Sequence, residues 1–165
     1  MKDLISNFRR LYENGLLIPD EMPLDEMARL LNEQGPSPLI GVEWTVGSKL
    51  FKRHIQLADS KPTEAVYVLP DKSGFVIIEK AWKPDNCLLL DAYGKERMRL
   101  IAPWQMTGAQ LPEGVTFGYP EKGYSNPKTG APGSYGINGW VGHSKFYFEL
   151  DYQTGTFLWC VSIRD

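Results

Sequence analysis

Three segments of the chain share a pattern that is typical of antiparallel β-hairpins. An apolar run ends at an aspartate, a few small or polar residues and a glycine follow, and a second run begins; the segments are 67–78, 88–100 and 148–159. Aspartate at the first corner accepts a hydrogen bond from the backbone two residues on, and glycine adopts the left-handed conformation that closes the turn. The pattern predicts an antiparallel meander. Because the flanking runs differ, shared turn chemistry explains it better than an internal repeat.

Residues 1–35 follow a helical period instead. Apolar side chains recur there in two sets: Leu4, Ile5, Phe8, Leu11 and Tyr12 before Gly15, and Leu24, Met27, Ala28 and Leu31 before Gly35 and Pro36. Glycine and proline commonly follow the end of a helix, so each set predicts a short amphipathic helix. From Leu39 onward the period becomes that of β-strands. The predicted fold class is α+β: two short N-terminal helices packed on a mainly antiparallel, meander-like β-sheet that can be curved or partly closed.

The length of 165 residues is ordinary for one domain and is sufficient for a core that needs no disulfide or metal. We therefore predict a single domain over residues 1–165. Its parts are a helical segment 1–35, a β meander 39–102, an irregular region 103–142 rich in glycine, proline and aromatic residues, and a C-terminal β-hairpin 143–165.

The net charge, the apolar runs and the positions of the cysteines indicate which partners and which location to expect. The formal net charge of −2 provides no field that would collect a polyanion, so no nucleic-acid partner is expected. The N-terminus lacks the apolar stretch of a secretory signal, and no run is long enough to span a bilayer, so we expect no membrane partner and a cytoplasmic location. Cys87 and Cys160 each lie in an apolar run, which predicts buried, reduced thiols.

The residues that commonly carry chemistry are scattered in this sequence. The two histidines, His54 and His143, are far from each other and from both cysteines, so no metal site is predicted. No phosphate-binding loop appears either, and no cofactor is predicted. We interpret Glu79, Glu96, Glu149 and Asp151 as solvated surface carboxylates rather than a catalytic pair, because paired acids are defined by a distance that sequence cannot supply.

No catalytic residue is assigned, but one enzymatic alternative stays open. His54 and His143 form an acid/base pair if the fold brings them together, with Lys52 or Lys145 as a nearby cation for cleavage of a phosphodiester. This alternative describes a small enzyme or a small-ligand-binding protein. It depends on a proximity that the sequence does not establish.

The aromatic residues of region 103–142 are the best candidates for a binding surface. Tyrosine and tryptophan offer large, rigid contact area with a polar group, and irregular glycine-rich segments often carry binding loops. The same aromatics are equally expected in an irregular core. For the binding surface we assign Tyr124, Tyr135 and Trp140 as anchors, and Asp151 as a charge that steers a basic partner.

The leading functional hypothesis is a non-catalytic, protein-binding protein. Its most specific form is a small cytoplasmic inhibitor or immunity protein whose partner is a toxin or another toxic enzyme. The hypothesis rests on a stable scaffold with a long aromatic region and on the lack of an assembled catalytic set in the sequence.

Overall fold

The computed structural model describes residues 3–35, 37–110 and 114–163, which are mostly β, with 52% of the chain in strands and 10% helical. In chain order the elements are β1 Ile5–Tyr12, β2 Leu17–Pro19, α1 Leu24–Gln34, β3 Leu39–Val46, β4 Lys49–His54, β5 Leu57–Ala58, β6 Lys61–Pro62, β7 Glu64–Val68, β8 Gly74–Glu79, β9 Cys87–Asp91, β10 Glu96–Leu100, a 3-10 helix Trp104–Thr107, β11 Val115–Glu121, β12 Gly136–Val141, β13 Ser144–Asp151 and β14 Thr156–Ile163.

The strands form sheets with the orders β2-β1-β3-β4, β10-β9-β8-β7, β11-β12-β13-β14 and β5-β6. The chain divides into two compact units. The N-terminal unit is Met1–Phe75 with Leu90–Lys95, and the C-terminal unit is Val76–Leu89 with Glu96–Asp165. The single domain over 1–165 stays a prediction.

The predicted fold class is wrong, because the first predicted helix is strand β1. Ile5 and Phe8 are both buried although they stand three residues apart, which is the spacing of a helix. The register against β3 shifts between Ser6 and Arg9, and Asn7 adopts a left-handed φ of 52°. This β-bulge adds one residue to β1 and so returns Phe8 to the face of Ile5. A bulged strand therefore imitated the helical period.

The second predicted helix exists as α1, Leu24–Gln34, but it is not packed as expected. None of its residues is buried, and Leu24 is 81% exposed. Gly35 follows the helix with a φ of 79°, whereas Pro36 lies outside the described residues. Within the described part of the chain, no helix is long and apolar enough to cross a membrane.

The three aspartate turns have the predicted hydrogen bonds. The Oδ1 atoms of Asp71, Asp91 and Asp151 accept from the backbone N of Ser73 at 3.0 Å, of Tyr93 at 2.9 Å and of Gln153 at 3.1 Å. Gly94 and Gly155 take the left-handed conformation in two of these turns, but in the first Lys72 takes it, with a φ of 63°. Gly74 instead permits close approach of backbone, because a Cβ there would collide with the Leu90 carbonyl.

Trp44 lies at the centre of the core of the N-terminal unit. Its side chain is fully buried, and its ring centroid is 4.6 Å from that of Phe75 and 5.9 Å from that of Phe51. The indole N–H donates to the Ala92 carbonyl at 2.7 Å, which satisfies the one polar atom of the side chain. Trp44 thus joins strand β3 to the turn after β9.

The C-terminal unit has an aromatic core of its own. The ring of Phe117 on β11 lies 5.7 Å from that of Phe157 and 6.5 Å from that of Phe148. Both cysteines are free, as predicted; Cys87 is buried as expected, whereas Cys160 is only half-buried. Burial raises the pKa of both thiols, which keeps them protonated and unreactive at neutral pH.

We expect Trp44→Ala to lower the free energy of unfolding by about 3–5 kcal/mol, because it leaves a large cavity and an unpaired buried carbonyl. Urea denaturation followed by circular dichroism measures this. Leu50→Ala, at an exposed position of β4, serves as the control and should change stability by no more than about 0.5 kcal/mol. Equal effects of the two changes would contradict the central place of Trp44.

Candidate protein-binding surface

One face of the sheet β11-β12-β13-β14 carries two of the four residues predicted to bind a partner, Tyr124 and Trp140. Trp140 on β12 pairs with Lys145 on β13, and Asn138 pairs with Tyr147. Directly paired residues project to the same face of a sheet. We call this face, with the segment 122–135 that follows β11, the aromatic face; its side chains are Tyr119, Glu121, Tyr124, Asn138, Trp140, Lys145, Tyr147, Glu149 and Trp159.

A buried carboxylate anchors segment 122–135 to the sheet. Glu149 is only 6% exposed, contrary to its interpretation as a solvated surface residue. One of its oxygens accepts from the hydroxyl of Tyr147 at 2.5 Å, and the other accepts from the backbone N of Ser134 at 2.8 Å. Burial, followed by the hydrogen bond to Glu149, raises the pKa of Tyr147, so this phenol stays a donor.

Tyr124 packs on the same anchor. Its ring lies 4.6 Å from that of Tyr147, and its hydroxyl donates to Glu121 at 3.1 Å. The other oxygen of Glu121 accepts from the Asn138 amide at 2.8 Å. Burial and then the hydrogen bond to Glu121 raise the pKa of Tyr124. Tyr124 therefore holds the segment against the sheet while keeping part of its ring accessible.

The beginning and end of segment 122–135 are also joined to each other. The backbone N of Gly133 donates to the Tyr124 carbonyl at 2.8 Å, and Ser125 forms a β-bridge with Pro132. A Cβ at Gly133 would collide with the Glu149 carboxylate, so a larger residue here would displace the group that anchors the loop. The segment is thus an ordered loop rather than one that glycine and proline release from the sheet.

Tyr135 and Asp151 have structural contacts in this arrangement. Tyr135 is 8% exposed, its ring meets Tyr152 edge-on at 5.5 Å, and its carbonyl accepts from the backbone N of Leu150. Asp151 caps the β13–β14 turn through the hydrogen bond to Gln153. Their roles in partner binding stay predictions, and the burial of Tyr135 makes its truncation a packing change as well.

Trp140 and Lys145 lie together at the more open end of the aromatic face. The Lys145 ammonium is 5.9 Å from the centroid of Trp140 and 5.1 Å from that of Tyr119, which is an exposed residue. A cation held over two aromatic rings keeps a long side chain ordered. The sequence analysis did not assign Tyr119 or Glu121 as binding residues, although both lie in region 103–142 and the run Tyr119-Pro120-Glu121 places an aromatic residue and an acid on alternate positions.

The two histidines occupy exposed positions. His54 ends β4 in the N-terminal unit, and His143 lies in the turn between β12 and β13 of the C-terminal unit. Lys145, named beside them in the enzymatic alternative, faces the aromatic rings described above. Across residues 3–35, 37–110 and 114–163, no group of three or more histidine, cysteine, aspartate or glutamate side chains is arranged to hold a metal ion.

Comparisons with known proteins give one finding, and it concerns the fold. No protein-family model matches the chain, and no curated protein matches it. Among solved structures, the chain is similar to one chain of the structure of Tne2 in complex with Tni2, with a TM-score of 0.69 and 19% sequence identity. The match covers 98% of this chain and 100% of that one. At this identity the likeness shows a shared fold over the whole length.

Tyr147→Phe should cost about 1–3 kcal/mol of stability, because it removes a hydrogen bond from the buried carboxylate of Glu149. We expect faster hydrogen exchange at the Ser134 amide as the loop loosens, measured by NMR together with urea denaturation. Tyr119→Phe, which alters an exposed phenol on the same face, is the matched control. If the two variants behave alike, the carboxylate does not anchor the loop.

Proposed function

We propose that this chain is a non-catalytic, protein-binding protein, and that it is a small inhibitor or immunity protein that neutralises a toxic enzyme by binding it. The observation that carries the proposal is the full-length fold likeness to a chain solved as part of a two-protein complex. The likeness extends over nearly all of both chains, so what is shared is the fold of the full chain and not a recurrent motif.

The aromatic face supports this proposal as the binding surface. Trp140, Tyr119 and the exposed part of Tyr124 supply the kind of side chain that dominates interface energetics. The loop beneath them is ordered before binding by Glu149 and by its own backbone bridge. A surface that is already ordered loses less conformational entropy on association, which favours tight inhibition.

The location we propose for this activity is the cytoplasm. Both cysteines are free, which is the state that a reducing compartment maintains. Asp151, at the tip of the β13–β14 hairpin, would add a negative charge that attracts a basic enzyme, with a modest effect on the association rate.

The test is isolation of the protein from its native source, identification of the co-purified protein by mass spectrometry, and calorimetric titration of the purified pair. Tyr124→Ala and Trp140→Ala should each weaken binding by about 2 kcal/mol or more, because they truncate aromatic anchors. Trp82→Ala is the matched control, since Trp82 is 67% exposed on the same unit but outside the aromatic face. Thermal melts establish that each variant is folded.

Two results would count against the proposal. If no protein binds the wild-type chain, the function is not that of an inhibitor. If the double variant His54→Ala with His143→Ala stays folded, binds the partner normally and loses the biological activity, the enzymatic alternative replaces the proposal. We expect this double variant to retain both binding and activity, since both imidazoles are exposed outside the aromatic face.

A further inference from the structure

Strand β14 is an edge strand whose own sequence lacks the residues that usually protect an edge against pairing. It ends the sheet β11-β12-β13-β14, and its sequence from Thr156 to Ile163 contains neither a charged residue nor proline. An edge strand presents unpaired backbone N–H and C=O groups, and proteins commonly block such edges with charge, proline or short length. Eight residues are enough to template a further strand.

The other sheet edges of the described residues carry that protection. On the outermost strands of three or more residues, the protecting residues are Pro19 in β2, Lys49, Lys52, Arg53 and His54 in β4, Glu64 in β7, Glu96, Arg97 and Arg99 in β10, and Pro120 and Glu121 in β11. In the two-residue ribbon, β6 carries Lys61 and Pro62, and β5 is too short to pair extensively. Among the outermost strands of three or more residues in the described part of the chain, β14 alone has neither a charged residue nor proline.

A cleft of about 310 Å³ lies against this strand. Its lining residues are Met106, Asn126, Pro127, Lys128, Leu158, Trp159 and Cys160. Met106 lies over the face of the sheet to which the Cys160 side chain projects, since the Cys160 thiol lies 3.5 Å from the Met106 carbonyl. Residues 126–128 belong to the loop that covers the opposite face, where the ring of Tyr147 meets that of Trp159. The two walls thus rise from opposite faces of the sheet, and β14 forms the floor between them.

The side chains of the cleft indicate what it accepts. In the pairing of β13 with β14, Glu149 lies opposite Trp159 and Leu150 lies opposite Phe157. Leu158 has no partner across the pair, because it is the extra residue of a β-bulge, and it is 55% exposed. Met106 is exposed beside it, so the cleft has an apolar wall open to solvent. The exposed cation of Lys128 stands at the other wall. An apolar side chain with an acidic neighbour complements this pair.

We propose that an extended segment of the partner protein pairs with β14 as a fifth strand of this sheet. The segment places an apolar side chain against Leu158 and Met106 and an acidic one near Lys128. Backbone hydrogen bonds supply the pairing, and the cleft supplies the selectivity. This inference rests on the proposed function and specifies the chemistry of one segment of the partner: it is extended, it alternates apolar and polar side chains, and it carries an acidic side chain near Lys128 whatever the overall charge of the partner.

The first experiment uses the full chain and a synthetic peptide of about ten residues, in which Leu or Val alternates with Thr and one Thr is replaced by Asp. NMR titration should give saturable shifts at the amides of residues 158–163. A peptide of the same sequence with alternate amides N-methylated should bind about tenfold more weakly, because it lacks backbone donors. Absence of saturable shifts on β14, or equal binding of the methylated peptide, overturns the inference.

Substitutions on the protein test the cleft separately. Leu158→Lys and Lys128→Glu change exposed positions and should each weaken peptide binding about tenfold, through the lost apolar contact and the reversed charge. Leu24→Lys, at an exposed leucine of the N-terminal unit, is the matched control and should leave binding unchanged. Unaltered binding in both cleft variants refutes the inference. So does concentration-dependent dimerisation that Leu158→Lys abolishes, since a second copy would then occupy the edge.

Titration of the identified native partner separates this inference from the proposed function. If Trp140→Ala weakens the complex while Leu158→Lys and Lys128→Glu leave it intact, the edge is not used and the inhibitor function still holds. If no partner binds the wild-type chain, the inhibitor function fails, and the peptide titration still decides whether β14 accepts a strand.

Discussion

The buried carboxylate of Glu149 is the constraint around which the C-terminal sheet is organised. A carboxylate removed from water is very unfavourable unless hydrogen bonds satisfy it, and here the donors are the Tyr147 hydroxyl and the Ser134 amide. Because Ser134 belongs to the loop, satisfying the carboxylate requires the loop to lie on the sheet. The same requirement explains Gly133, where no Cβ fits, and positions Tyr124 on the ring of Tyr147. One buried charge thus specifies where the loop lies.

Charges in the N-terminal unit serve a different purpose. Arg9 on β1 pairs with Glu43 on β3, and Lys52 on β4 approaches the same carboxylate at 3.9 Å. Arg53 makes a bidentate contact with Glu64, with a shortest distance of 2.9 Å. These side chains cover the sheet and charge its edge strand. Such an edge resists pairing with another chain, whereas β14 has no comparable side chain.

The hairpins were predictable from the sequence because their determinants are local. Asp91 and Asp151 hydrogen-bond within their own turns, so a short window contains the whole interaction. The strand conformation of β1 was not predictable from such a window. The bulge at Asn7 depends on the register with β3, which lies more than thirty residues away in the sequence. The burial of Glu149 likewise depends on Ser134 and on a sheet that assembles only in three dimensions. For the candidate site, composition indicated region 103–142 but not which of its side chains share a face with residues of β13 and β14.

A shared fold at 19% identity means that most side chains differ between the two proteins although the scaffold is the same. The turns and the aromatic core determine the scaffold, and many sequences meet those requirements. In the complex that we propose, selectivity between partners would arise from differences in contact free energy at exposed positions, such as Trp140 and the walls of the cleft. Strand pairing is compatible with this separation of scaffold from selectivity, because its hydrogen bonds come from the backbone, which every sequence possesses. Under the proposed function, the scaffold would keep β14 as the pairing edge, and substitutions around that edge would change the partner that the chain accepts.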